Sequence, residues 1–172
     1  MSRVPFVCGA LMLLLLIAGC GGSSDESTSG TAPPTSGAPD PTTTLERAAR
    51  RAVAENFRLS QYVGWHGRVP SWATRSTRGA ALSEMRASVR ENVRAGVRVR
   101  FVSSNLKIGA VQIDPSYERA TATVSADQRV RVYREGRRRP VLRANTERAR
   151  IELRRVGDDE PPRFVVWRVR VL

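Results

Sequence analysis

Residues 96–101, Gly96-Val97-Arg98-Val99-Arg100-Phe101, mark the point where the chain changes its period. Val97, Val99 and Phe101 alternate with Arg98 and Arg100, which places apolar and charged side chains on opposite faces of a strand. Upstream of Gly96 the spacing is helical. Leu82, Met85, Val89 and Val93 form the buried stripe of a helix starting near Thr77, and Gly96 suits its C-terminal stop. Downstream the period stays at two. Residues 106–113 (LKIGAVQI) read as a second strand, turned by Asp114-Pro115-Ser116. Ala122, Val124, Ala126, Val130 and Val132 then alternate with Thr121, Thr123, Arg129 and Arg131. Glu135-Gly136 begins a turn, a fourth strand covers about 141–155, and Asp158 to Pro162 turns the chain again. In the last strand Val165, Trp167, Val169 and Val171 alternate with Arg168 and Arg170.

Working back toward the N-terminus, Thr43-Thr44-Leu45-Glu46 has the form of a capping box, with Thr43 as N-cap. Leu45, Ala49, Ala52, Val53 and Phe57 follow at helical spacing and predict a first helix to about Leu59. Gly64, Gly67 and Pro70 predict a loop or broken element over 61–76. Two helices followed by consecutive strands define an α+β class. The expected architecture is N-terminal helices packed on a curved antiparallel sheet of about four to five strands.

Before residue 44 the composition changes. Residues 21–43 contain Gly, Ser, Thr, Ala, Pro and a few acids, without aromatic or large aliphatic side chains. Such a segment cannot bury enough surface to offset its ordering entropy, so 20–43 reads as a disordered tether and 44–172 as one folded domain. Phe6 to Ala18 (FVCGALMLLLLIA) is apolar behind Arg3, shorter than the roughly 20 residues of a membrane span, and matches the apolar region of a signal peptide. Ile17-Ala18-Gly19-Cys20 resembles the lipobox of bacterial lipoproteins. That resemblance implies cleavage after Gly19 (signal peptide 1–19) and a diacylglycerol on the Cys20 thiol, which would anchor the domain to the cell membrane on its extracytoplasmic side. Two acyl chains make a stable anchor where one is marginal. Cys8 lies inside the apolar run and would leave with the peptide, so the mature chain could form no internal disulfide.

The order of elements over roughly 45–172 resembles the NTF2-like (cystatin-like, SnoaL-like) superfamily, as in actinobacterial Mce-associated-type lipoproteins. The shared features are an N-terminal helix, a Trp-bearing segment before a second helix, strands meeting at Asp114 to Arg119, the Ala122-Thr123-Val124 strand, and a closing strand carrying Trp167. The resemblance implies a conical fold. It implies no particular activity, because such folds host enzymes, binding modules and assembly domains.

The residues supply little for catalysis. One histidine and two cysteines leave almost nothing for a metal site or a Cys/His centre. NTF2-like enzymes place acid/base groups, often an Asp–His pair, inside the cone. Here His66 stands alone in Gly64-Trp65-His66-Gly67, with no acid at matching spacing. Ser104-Asn105-Leu106-Lys107 fits S-x-x-K but falls at a strand turn, and the companion S-D-N and K-T-G motifs are absent. Asp158-Asp159-Glu160 lacks the spacing of a calcium loop. No catalytic residue, metal site or cofactor is expected. Tyr62, Trp65 and Trp72 cluster between the helices as candidates to line a pocket for a small apolar ligand.

Charge is the distinctive feature. The chain carries 29 basic and 16 acidic residues, a net +13, and Lys107 is its only lysine. Residues 45–172 hold 28 of the basic residues (all but Arg3) and 13 of the acids (all but Asp25, Glu26 and Asp40), so the positive charge belongs to the domain. If the apolar positions face inward, Arg98, Arg100, Arg129, Arg131, Arg148, Arg150, Arg154, Arg168 and Arg170 face outward, with Glu152 as the acid among them. Exposed arginines also discourage edge pairing, but like charges on adjacent strands repel, and so many exceed what solubility requires. A counter-surface would relieve them. An exported domain rarely meets nucleic acid, which leaves anionic lipid, acidic cell-wall polymer or an acidic protein. The sequence therefore reads as a lipid-anchored binding or assembly module. A carrier of a small apolar ligand is the alternative, and a SnoaL-like enzyme a further one.

Overall fold

The computed structural model describes residues 40–157 and 160–172. The expected signal peptide, Cys20 and the expected tether up to residue 39 lie outside the described residues, as do Asp158 and Asp159. Helix α1 (Pro41–His66) is followed by a 3-10 turn (Ser71–Arg75) and helix α2 (Gly79–Arg94). Four strands complete the chain: β1 (Val97–Ile113), β2 (Arg119–Arg134), β3 (Val141–Arg155) and β4 (Phe164–Val171). They form one antiparallel sheet in the order β1-β2-β3-β4. The α+β class and the helices on an antiparallel sheet are therefore as the sequence reading expects.

Helix α1 departs from its expected limits at both ends. Asp40 caps it, its carboxylate accepting from the Thr42 amide at 3.0 Å, and Pro41 takes the first-turn position where its missing N–H costs nothing. The capping box at Thr43 is not used; Glu46 pairs forward with Arg50 at 2.8 Å. Pro41 to Thr43, assigned by composition to the tether, are helical. At the other end the helix runs past Leu59 and through Gly64 to His66, stopping at Gly67 in the left-handed conformation. Gly64 is tolerated because the helix presses on β1 there. A Cβ at this position would lie 3.2 Å from the Val99 carbonyl oxygen.

The expected strands at 97–101 and 106–113 are one strand. The register runs Phe101↔Val130 then Ser103↔Arg129, leaving Val102 as an extra residue, and shifts again between Ile108 and Val111. Each bulge changes which residues face inward. Val97, Val99 and Phe101 share the inner face with Leu106 and Ile108, and then with Val111 and Ile113, because the extra residues absorb the phase changes. A third shift lies in β4, where Glu152 pairs with Arg168 and Leu153 with Val166. Trp167 is the unpaired residue, so Phe164, Val166 and Val169 face inward where the sequence pattern gave that role to Val165 and Trp167.

The inner face packs on the helices. Leu45, Ala49, Ala52 and Val53 of α1 meet Ala120, Ala122, Val124, Ala149, Ile151 and Leu153, with Phe164, Val166 and Ala81 closing the cluster. Small side chains along β2 let a helix approach closely. A second cluster, Leu59, Val63, Ala73 and Leu82, joins the helices. Val93, expected on the buried stripe of α2, is exposed. Thr77 lies just before α2, fully buried, and bridges β4 in parallel: Arg78 N–H donates to Val166 O and Val166 N–H to Ser76 O. Its hydroxyl accepts from Asn56 Nδ2 at 2.7 Å, which satisfies both buried polar groups.

Candidate functional site

The ladder pairings fix the outward face residue by residue. Opposite partners in a ladder share a face, and faces alternate along each strand. From the inward pairs Val99↔Val132, Ala122↔Ile151 and Ile151↔Val169, the outer set includes Arg98 and Arg100 on β1 and Arg129 and Arg131 on β2. Arg148, Arg150 and Arg154 on β3, and Arg168 and Arg170 on β4, complete it. All nine candidate arginines thus lie on one face of the sheet, opposite the face that carries the core. Arg168 is half-buried and the others are exposed.

Several are placed directly against one another. Arg100 is opposite Arg131, and Arg150 opposite Arg170. Arg119, which the sequence reading passed over, opposes Arg154. Arg119 was legible, because it continues the alternation of Thr121 and Thr123. Like charges facing across strands are destabilising. Glu152 relieves part of this, its carboxylate 3.2 Å from Arg170 Nε and opposite Arg168. Asp127 is a second acid on the face and accepts from the Thr146 hydroxyl at 2.8 Å. The row Asn105–Asp127–Thr146 divides the basic surface. Arg98, Arg100, Arg129 and Arg131 lie toward one end of the sheet, and Arg119, Arg148, Arg150, Arg154, Arg168 and Arg170 toward the other. A polar trough of about 480 Å³ follows that dividing row.

Two guanidinium groups lie over indoles. Arg154 lies 4.0 Å from the Trp167 ring centre, and Arg100 lies 5.6 Å from that of Trp65. Each contact places a cation over the electron-rich face of an indole, which favours that position of the guanidinium.

The three candidate pocket aromatics do not converge. Tyr62 stacks on His66 at 3.9 Å and meets Trp72 edge-on at 5.6 Å, beside the second core cluster. Trp65 turns the other way, to Tyr133 and Arg100. His66 is exposed, and its Nδ1 is 2.9 Å from the Tyr62 carbonyl. Among the described residues no group of three His, Cys, Asp or Glu side chains could hold a metal ion. On the inner face, Glu147 accepts from Gln128 and Asn145, and burial holds its carboxyl above the usual range against those two hydrogen bonds. No described helix is long and apolar enough to cross a membrane.

What the geometry defines is a helix-backed antiparallel sheet with a basic outer face. No protein-family model matches the chain, and no curated protein matches it significantly. Among solved structures it is similar to the intermembrane space region of the chloroplast protein ARC6, with a TM-score of 0.62 and 12% identity over 73% of this chain and 95% of that one. At that identity the likeness is one of fold.

Proposed function

We propose that this chain is an acyl-anchored lipoprotein on the outer side of the cell membrane, and that its α+β domain, of the NTF2-like kind, is a non-enzymatic docking module. Its arginine face binds an anionic surface, and the anionic phospholipid within reach of the tether is the surface it meets first. The observation that carries this reading is the shared outward face of Arg98, Arg100, Arg129, Arg131, Arg148, Arg150, Arg154, Arg168 and Arg170. Each basic residue near an anionic leaflet contributes about 1 kcal/mol, falling off within a Debye length.

Energy transfer from tryptophan to a dansyl-headgroup lipid tests the docking. The acylated chain is placed in phosphatidylglycerol and in phosphatidylcholine vesicles, so that the anchor is common to both. Transfer is expected to be higher in the anionic vesicles and to fall at high salt. Equal, salt-independent transfer in both would overturn docking. The anchor is tested by intact mass of the chain from its native host, expected to begin at Cys20 and to carry a diacylglycerol.

A further inference from the structure

The sheet has three edge segments, and in two of them backbone groups are contacted by other parts of the fold. The β1 edge lies against α1, with Gly64 at the Val99 carbonyl and Arg50 Nη1 donating to Ile108 O at 2.8 Å. The β4 edge is bridged by Ser76–Arg78. The third segment is the first half of β3. Strand β4 pairs only with Ala149 to Arg155, so Val141 to Glu147 have β2 on one side and no described strand on the other. Residues 141–146 are all exposed.

The hydrogen-bond parity of this edge can be fixed. Leu172 N–H donates to Arg148 O, and Val156 N–H to Arg163 O, so even-numbered residues of β3 turn their backbone groups toward the β4 side. Arg155 N–H donates to Glu118 O, so odd-numbered residues turn toward β2. Leu142, Ala144 and Thr146 therefore present N–H and C=O outward in an unbroken row, because the β2–β3 register has no bulge.

We infer that this row is a docking edge for an extended acidic segment of a partner protein, which adds as a further strand beyond β3. Main-chain hydrogen bonds would supply the pairing. Charge selects the partner. On the outer face Arg129 is opposite Ala144 and Arg131 opposite Leu142, so an acidic side chain on an added strand reaches a guanidinium across a small or apolar residue. Arg137-Arg138-Arg139 in the adjoining turn adds to the same field. A second copy paired through the same segment would bring only Glu147 as an acid, and that side chain lies on the inner face, so it would leave Arg129 and Arg131 without a counter-charge.

Amide hydrogen exchange of the full chain in mild detergent tests this. The probe is a synthetic peptide of alternating Val and Glu, compared with its Val/Lys counterpart. The amides of Leu142, Ala144 and Thr146 should exchange fast in the chain alone and slow at least about tenfold with the Val/Glu peptide. The Val/Lys peptide should have no effect. Ala144→Pro removes one outward N–H that β2 does not use, as edge strands tolerate, and should weaken the peptide at least about fivefold. Arg129→Glu should weaken it with the backbone edge intact. No slowing with the Val/Glu peptide, or equal slowing with both peptides, would overturn the proposal. So would protection without peptide, whether concentration-dependent (a second copy) or not (the chain's own N-terminal segment). Ala144→Pro should leave energy transfer in anionic vesicles unchanged, so the edge and the lipid-docking face can fail separately.

Discussion

Gly79 sits beneath the indole of Trp167: a Cβ added there would lie 2.5 Å from Cε2 and 2.6 Å from Cδ2. The backbone at Gly79 has φ +57, the left-handed region that glycine enters freely. Both constraints arise where α2 begins against the β4 bulge that sets Trp167 out of register. Gly79→Ala should therefore destabilise the fold by about 2 kcal/mol or more, read as a lower denaturant midpoint. Trp167→Leu in the same chain should recover part of the loss; strict additivity of the two changes would show that the indole is not what Gly79 accommodates.

The pair Asn56–Thr77 predicts a sharper contrast. Thr77→Val keeps the shape but leaves the buried Asn56 amide without its acceptor, a loss of about 1–3 kcal/mol. Thr77→Ser keeps the hydroxyl and should retain most of the stability. Equal loss from both substitutions in a denaturant titration would show that keeping the hydroxyl brings no advantage, which would overturn the assignment to the Asn56–Thr77 hydrogen bond.

Much of this was legible in the sequence, and the exceptions share a cause. Period-two alternation around Arg98, Arg129, Arg150 and Arg170 depends only on local chemistry, so the arginine positions follow from it. Gly64 and Gly67 read as loop because isolated glycines weaken helices, yet Gly64 stays helical where the β1 backbone needs it. The continuity of β1 past Phe101 and the out-of-register position of Trp167 were not legible because a bulge is set by the partner strand's register. The open edge of β3 was invisible for the same reason: it depends on where β4 stops pairing, which the local pattern of neither strand records.

The helix start offers a direct comparison of two caps. Asp40→Ala should cost about 1 kcal/mol, because the Thr42 amide loses its acceptor. Thr43→Ala, which removes the residue that sequence alone would choose as cap, should change stability by less than about 0.5 kcal/mol. Chemical denaturation of both variants checks the order; the reverse order would restore the capping box.

Glu147 gives the fold a pH dependence with a definite sign. Burial raises its carboxyl above the ordinary 4.5, so the folded state binds this proton more tightly than the unfolded chain does. Its contribution is greatest below the unfolded value and is lost as pH rises through the raised folded one. The thermal midpoint of the wild type relative to Glu147→Gln should therefore rise as the solution is acidified through that window. A difference that stays flat, or that falls, would show that the hydrogen bonds from Gln128 and Asn145 outweigh burial.

Arg150→Glu separates stability from docking. Arg150 faces Arg170 directly, with Thr123 on its other side, so reversing its charge replaces a cross-strand repulsion with an attraction. The fold should gain about 0.2–1 kcal/mol. If the arginine face exists only for solubility, the variant should be more stable and otherwise unaltered. If the face docks on anionic lipid, the same variant should gain in its denaturant midpoint and lose energy transfer in phosphatidylglycerol vesicles. The stability gain alone fits either explanation, because natural chains rarely sit at their stability optimum; the loss of energy transfer is what a counter-charge outside the chain requires. Measuring both quantities on one protein therefore decides between the two explanations.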